Sequence, residues 1–312
     1  MDGRAVIKIV TWNMRDLFLK GARETRLEQF GGILKAIDPD IVCVQEIRGH
    51  DPGGSLARLG EAAGLDWRAT PGWIDYDDGE MPTAAVGIAD SDFHVGLLWR
   101  PGITLLPGTF RQIGRGDGGL WHAAASAAFD IGGPVPLTAI ACHLDPFRPE
   151  LRFSEAARIA SLAIGKVAIV GGDFNCVSAD RRPDGTFYDP DPIEQGGWHD
   201  AATFQVNWND DPDAPTRVDR RAAERLRRAG LVDAAAAVNA PWQPSSGHWP
   251  DDPHGPRRVD RILVTVPVRP AVVSHQVINA DCDRLQLAFD PGLLSDHLPV
   301  MIELDEMLLH SL

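Results

Sequence analysis

The chain predicts an α/β fold, on three observations. Apolar runs with strand character alternate with runs at helical spacing from residue 5 to residue 304. Short polar clusters built from Asn, Glu, His and Asp stand directly after the apolar runs. No internal repeat and no linker-like stretch divides the 312 residues, so residues 1–312 are expected to form one domain.

Residues 5–12 are a β-rich run, followed at 23–37 by Leu27, Phe30, Leu34 and Ile37 at helical spacing. Asp38-Pro39-Asp40 stops that helix, because proline disfavours a helical residue before it. Residues 41–44 are a short buried strand ending at Gln45-Glu46. Strands are expected at 83–88, 95–99, 123–129 and 135–142, separated by Gly and Pro turns. Residues 150–164 are expected as helix, 166–170 as a buried strand leading into Gly171-Gly172-Asp173, and 219–229 as another helix. Strands at 259–265, 271–278 and 298–304 close the chain. Two stretches, 71–92 and 180–219, are expected as long surface loops, and loops of that length in a compact domain are usually functional or mobile.

Composition narrows the partners. The formal charge is −14, whereas proteins that grip duplex nucleic acid without regard to sequence usually show a basic stripe. Bound divalent cations can offset carboxylates locally, so acidity does not exclude a nuclease. No apolar run approaches the ~20 residues that span a bilayer. Strand character begins within a few residues of Met1, leaving no room for a signal peptide if Met1 is the native start. Four irregularly spaced cysteines form no C-x-x-C pair, and Cys43 and Cys142 fall in apolar runs where a small buried thiol is expected. A cytoplasmic protein without membrane attachment is expected, and no feature points to a protein partner.

Six segments concentrate the chemistry: Trp12-Asn13, Gln45-Glu46, His143, Gly171-Gly172-Asp173-Phe174-Asn175, Arg258-Val259-Asp260-Arg261 and Leu294-Ser295-Asp296-His297-Leu298-Pro299. A strand end holds a side chain rigidly at the rim of a sheet, which suits catalysis. Glu46 presents a carboxylate of the kind a hard cation takes. If the backbone at Asp173 and Asn175 is extended, both side chains point to one side. A carboxylate beside His297 would hold its imidazole in one tautomer and favour the cation.

In this order, the six segments resemble the endonuclease/exonuclease/phosphatase superfamily, which includes pancreatic-type deoxyribonucleases, repair endonucleases, inositol-polyphosphate 5-phosphatases and neutral sphingomyelinases. The likeness runs from Val6 to Ile302. It implies a four-layered α/β sandwich in which two mixed, mostly antiparallel sheets pack together between helices. It also implies Mg²⁺, with Mn²⁺ as a substitute, held through Glu46, with Asn13 on metal or phosphate oxygen and Asp296 facing the metal side. Asp173 would position or deprotonate the attacking water, and Asn175 would donate to phosphoryl oxygen. Asp260 would hold His297 against the phosphate, and His143 would donate a proton or contact phosphate. The His143 segment departs from the family's T-H-L pattern by carrying Cys142 in place of Thr.

Some assignments stay open at this level. Arg152 is either a phosphate contact or a helix-face charge, Asp145 is equally undecided, and His122, His199, His248 and His254 carry no assigned role. The expected activity is metal-dependent hydrolysis of a phosphomonoester or phosphodiester by in-line attack of water. The substrate is a phosphorylated small molecule or nucleic acid. The alternatives are a nuclease, and a non-hydrolytic enzyme or binding module on the same fold. Residues 71–92 carry six acidic residues and no Lys or Arg, which favours a compact substrate, with Trp73, Trp198 and Trp208 as candidate walls.

Overall fold

The structure, a computed structural model, describes residues 6–17, 23–49, 51–69, 73–74, 84–114, 119–196, 199–207, 216–282 and 284–312. Trp198, Trp208 and residues 71–72 and 75–83 of the 71–92 segment lie outside these residues, as does the side chain of Trp73.

Among the described residues, two large sheets dominate. The first has the order Val272–Val277, Val300–Asp305, Val6–Leu17, Ile41–Ile47, His94–Trp99 and Val86–Gly87. The second has the order Leu231–Asp233, Asp260–Thr265, Ala168–Asp173, Leu137–His143, Ala124–Asp130, Arg111–Ile113 and Trp73–Ile74, with Thr104–Leu105 also paired to Ala124–Asp130. At the centre of each sheet is one parallel pair: Val6–Leu17 with Ile41–Ile47, and Leu137–His143 with Ala168–Asp173. A parallel pair needs a crossover, and the helices Arg23–Ile37 and Pro149–Ala163 supply the two. Apart from the short Trp73–Ile74 pairing, the other neighbours are antiparallel.

The central strands read as nearly continuous apolar runs because both of their faces are buried. Ile9, Cys43, Ala139, Ala141 and Ile169 face the core between the sheets. Their neighbours Val10, Val42 and Val44 turn outward against Phe30, Leu34, Leu56 and Leu59 of the first helical layer. On the other side, Ile140 and Val170 meet Ala156, Ile159 and Leu226 of the second. Helices, sheet, sheet and helices thus stack as four layers. Between the sheets the residues are small near the future site: a Cβ on Gly171 would lie 2.9 Å from Cys43 Sγ and 3.1 Å from Thr11 Cβ. All four cysteines are free and buried.

The helix Pro52–Ala63 was not expected. Its signals are present: Asp51 accepts from the Gly54 N–H, Pro52 opens the helix, and Gly64 closes it at φ 73°. Gly53, Gly54 and Gly60 dilute its helical propensity, and the buried Leu56, Leu59 and Ala63 compensate through packing. Among the described residues no helix is long and apolar enough to cross a membrane.

Candidate active site

Topology brings the six polar segments to one end of the molecule. Asn13, Glu46, His143 and Asp173 leave the C-terminal ends of the two parallel pairs. The strands Asp260–Thr265 and Val300–Asp305 run antiparallel to their neighbours, so their N-terminal ends arrive at the same place. Asp173 is consequently in register with His143 on one side and Asp260 on the other.

The backbone leaves regular geometry where these strands end. Glu46 (φ 61°), Asn175 (φ 48°) and the consecutive Arg15 (φ 39°) and Asp16 (φ 51°) all occupy the left-handed region. Such conformations cost on the order of 1–3 kcal/mol each and persist only where surrounding contacts enforce them. Here the turn aims the Asp16 N–H at Glu46 Oε2, 3.0 Å away. The condition for Asp173 and Asn175 to point to one side, an extended backbone, is not met at Asn175. Its N–H instead folds back onto Asp173 Oδ1 at 2.8 Å, and its amide donates to Leu144 O at 2.9 Å.

Asp173 Oδ2 is the point of convergence. Asn13 Nδ2 donates to it and to Glu46 Oε1, both at 3.1 Å, which joins the two sheets. His143 Nε2 lies 3.5 Å and His297 Nδ1 3.8 Å from the same oxygen. His297 Nδ1 is bonded more closely to Asp260 Oδ2, at 2.7 Å, and that oxygen also accepts from Ser245 Oγ at 2.8 Å. The backbone of His297 is held from both sides, since its N–H donates to Ser295 Oγ and its carbonyl accepts from Trp12 Nε1. Arg258 is buried in bonds to Asp189 and Asp233 and anchors the approach to Asp260.

These contacts set the charges. Burial opposes a cation at His297, but Asp260, Asp173 and Asp296 outweigh it and hold the imidazole up at about 10. Burial likewise opposes ionisation of Asp173, yet His297 and His143 pull its carboxyl below the ordinary range. Glu46 lacks such compensation, and burial lifts it to about 7 despite His297 and the Asn13 and Asp16 donors. Burial presses His143 down to about 4, against the attraction of Asp173.

Two groupings offer ligand atoms to a metal. Asp173, Asp260 and His297 bring one ligand atom each within 4.8 Å of one another. Glu46 is a half-buried carboxylate raised by burial, and Asp296 Oδ1 is buried without a hydrogen-bond partner among the described residues. A nearby divalent cation would return Glu46 to its ionised form and satisfy Asp296. The oxygen Asn13 Oδ1 is engaged by the Arg15 N–H at 3.0 Å, so Asn13 turns donors, not an acceptor, toward the carboxylates.

Arg152 is neither a phosphate contact nor a helix-face charge. It is fully buried and donates to the carbonyls of Asp145 and Phe204 at 2.8 and 2.9 Å. Asp145 caps the same turn through the N–H groups of Phe147 and Arg148. Arg152→Met is therefore expected to lower the free energy of unfolding by about 2–4 kcal/mol, since two buried carbonyls lose their donors. An unchanged urea midpoint would show that other donors replace it. The sequence reading missed Ser245 and Ser295, although a Ser two residues before His297 is a recognisable local hydrogen-bond signal. It also left His122 without a role. That imidazole stacks on His143, with ring centroids 3.9 Å apart and 20° between planes.

A family model described as Endonuclease/Exonuclease/phosphatase family matches residues 10–297. No curated protein matches the chain. Among solved structures, it is similar to the endonuclease/exonuclease/phosphatase from Bacteroides vulgatus, at 18% identity and TM-score 0.60, covering 96% of this chain and 99% of that one. It is also similar to truncated Caenorhabditis elegans TDP2, at 14% identity and TM-score 0.55, covering 96% and 98%. A Bacteroides thetaiotaomicron mannosyl-6-phosphatase aligns at 17% identity and TM-score 0.53, covering 96% and 99%. At such identities the structural likeness speaks for the fold, while the family model spans most of the sequence, and the chain belongs to the endonuclease/exonuclease/phosphatase family.

Proposed function

We propose that the protein is a Mg²⁺-dependent phosphoesterase, with Mn²⁺ as a substitute, that hydrolyses its substrate by in-line attack of water. The observation that carries this reading is Asp173 lying 3.8 Å from a His297 that Asp260 holds at 2.7 Å. The lowered Asp173 carboxyl and the raised His297 imidazole put a base for water and a cation for phosphate side by side.

Glu46 and Asp296 are the residues we assign to the metal, because a cation would return the raised Glu46 carboxyl to its ionised form and would satisfy Asp296 Oδ1, which has no hydrogen-bond partner among the described residues. Asp260 Oδ2 already holds His297 and Ser245, so through that oxygen it serves the imidazole, while its Oδ1 has no hydrogen-bond partner among the described residues. When bound, the cation supplies neutralisation of the charge that gathers on the nonbridging oxygens. Asp173 orients the water and takes its proton. His297, protonated across the neutral range, presents Nε2–H to a phosphoryl oxygen, and Asn175 offers its remaining amide hydrogen to another. Asn13 fixes the spacing of Glu46 and Asp173 rather than binding metal. His143 acts as a neutral donor through Nε2–H, since the anionic Asp173 selects that tautomer.

A small phosphoester is the substrate class we favour. The net charge of −14 and the acidic 71–92 segment disfavour an extended polyanion, while the mannosyl-6-phosphatase among similar structures supports a phosphorylated metabolite. The four free, buried thiols accord with a cytoplasmic setting. The expected result is turnover of bis-p-nitrophenyl phosphate or a small monoester with Mg²⁺ or Mn²⁺, abolished by EDTA, with ¹⁸O from labelled water in the phosphate product. Full turnover in EDTA, or transfer without ¹⁸O incorporation, would sink the mechanism. Efficient plasmid nicking with no turnover of small esters would make the protein a nuclease.

A further inference from the structure

We propose that His122, pinned by Ser91, is a positioning residue that sets the ring plane of His143. The inference rests on the phosphoesterase reading above and concerns a residue that the chemistry does not otherwise employ.

The two site imidazoles are held by different means. His297 is fixed through Nδ1 by Asp260, whereas His143 Nδ1 is buried and has no hydrogen-bond partner among the described residues. The contact of His143 Nε2 with Asp173, at 3.5 Å, sits at the outer limit of a hydrogen bond. The torsion that rotates an imidazole about its Cβ–Cγ bond is broad, so such a contact leaves the plane of the ring weakly defined. The stack on His122 provides what the hydrogen bonds do not, a flat surface 3.9 Å away and inclined by only 20°.

His122 is itself restrained. Its Nδ1 lies 2.6 Å from Ser91 Oγ, and Phe93 meets its face edge-on at 5.3 Å. The Arg48 guanidinium covers Phe93 at 4.4 Å and pairs with Asp16 at 2.6 Å. The Asp16 N–H in turn holds Glu46, and Asn13 connects Glu46 to Asp173. These contacts form a closed circuit around the cleft, and His122 is the link that carries it to His143. An imidazole suits that position because it offers both a flat face to His143 and a ring nitrogen to Ser91.

The test uses the full chain with Mg²⁺ bound and the variants His122→Ala, His122→Phe and Ser91→Ala. Steady-state kinetics on bis-p-nitrophenyl phosphate are read beside the imidazole ¹⁵N spectrum, with His143 assigned through His143→Gln. His122→Ala is expected to reduce kcat by about 10- to 100-fold with little change in KM, as for a misplaced reacting group. Its His143 resonances should move toward those of a tautomerically averaged ring. His122→Phe restores the flat face and should recover most of the lost kcat, while Ser91→Ala, which frees the His122 ring to turn, should fall between the two His122 variants.

A His122→Ala protein with parental kcat and an unchanged His143 spectrum overturns the proposal. Equal impairment in the Ala and Phe variants also overturns it, because stacking would then not be the property that matters. If the Ala variant does not fold, Ser91→Ala and His122→Phe carry the test: a shifted His143 spectrum in the first, largely absent in the second, supports positioning, and any other pattern opposes it. Absence of phosphoester turnover in the parent would defeat the phosphoesterase reading instead, while the His143 spectra would still judge the positioning role.

Discussion

Glu46→Gln is expected to lower kcat/KM by more than about 100-fold at limiting Mg²⁺, and at the same time to stabilise the metal-free fold. Both effects come from one half-buried charge. Burial holds the Glu46 carboxyl at about 7, against 4.5 when it is unperturbed. The folded protein therefore binds this proton more tightly than the unfolded chain does. The associated stability is complete below pH ~4.5 and is lost as pH rises through about 7. Above that window the ionised group weighs on the metal-free fold by on the order of 3 kcal/mol, which a neutral amide avoids. Thermal melts in EDTA at pH 8 should place the variant above the parent, while a Mg²⁺ titration of turnover should place it far below. A variant that melts lower than the parent under those conditions, or keeps parental kcat/KM at limiting Mg²⁺, removes Glu46 from this role.

The second large effect is expected from Asp260→Asn, which should depress kcat at pH 8 by about 100-fold or more. The His297 imidazole is held up at about 10, well above 6.5, chiefly because Asp260 overcomes the cost of its burial. The pair's contribution to stability is complete below pH ~6.5 and disappears as pH rises through about 10. With an amide at position 260 the imidazole loses its main counter-charge, and Asp173 at 3.8 Å is the nearest anion left to it. The alkaline limb of the pH–rate profile should then shift down by more than ~1 unit. An NMR titration of His297 that matches the parent would contradict the pairing.

The legible part of this protein lies where chemistry and local pattern coincide. Strands buried on both faces appear as uninterrupted apolar runs, so the ends bearing Asn13, Glu46, His143 and Asp173 could be located from the sequence. The fold class and its four layers followed from the ordered motifs. What stayed hidden depends on neighbours distant in sequence. Arg152 looks like any helical arginine until the carbonyl of Phe204, 52 residues away, is seen to take its hydrogen bond. His122 is unremarkable until its ring meets that of His143 from an adjacent strand end. The Asn13 amide could be assigned to metal or phosphate, and only the Arg15 N–H on its oxygen shows which way it faces. The Pro52–Ala63 helix was obscured by its own glycines, whose low propensity is overridden by burial.

The packing of Gly171 against Cys43 and Thr11 has a consequence for how this site can change. Glu46 and Asp173 stand on opposite sheets, like the tips of two jaws whose gape is set just behind them, where Gly171 meets Cys43 and Thr11. Residues there, including Ala139 and Ala141, never touch a substrate, yet a single added methyl would act as a shim. It would press the two sheets apart beside the site and strain the bridge that Asn13 makes between them. Selection for a larger or smaller reacting group can therefore act on the interior of the protein, leaving every side chain at the rim unaltered.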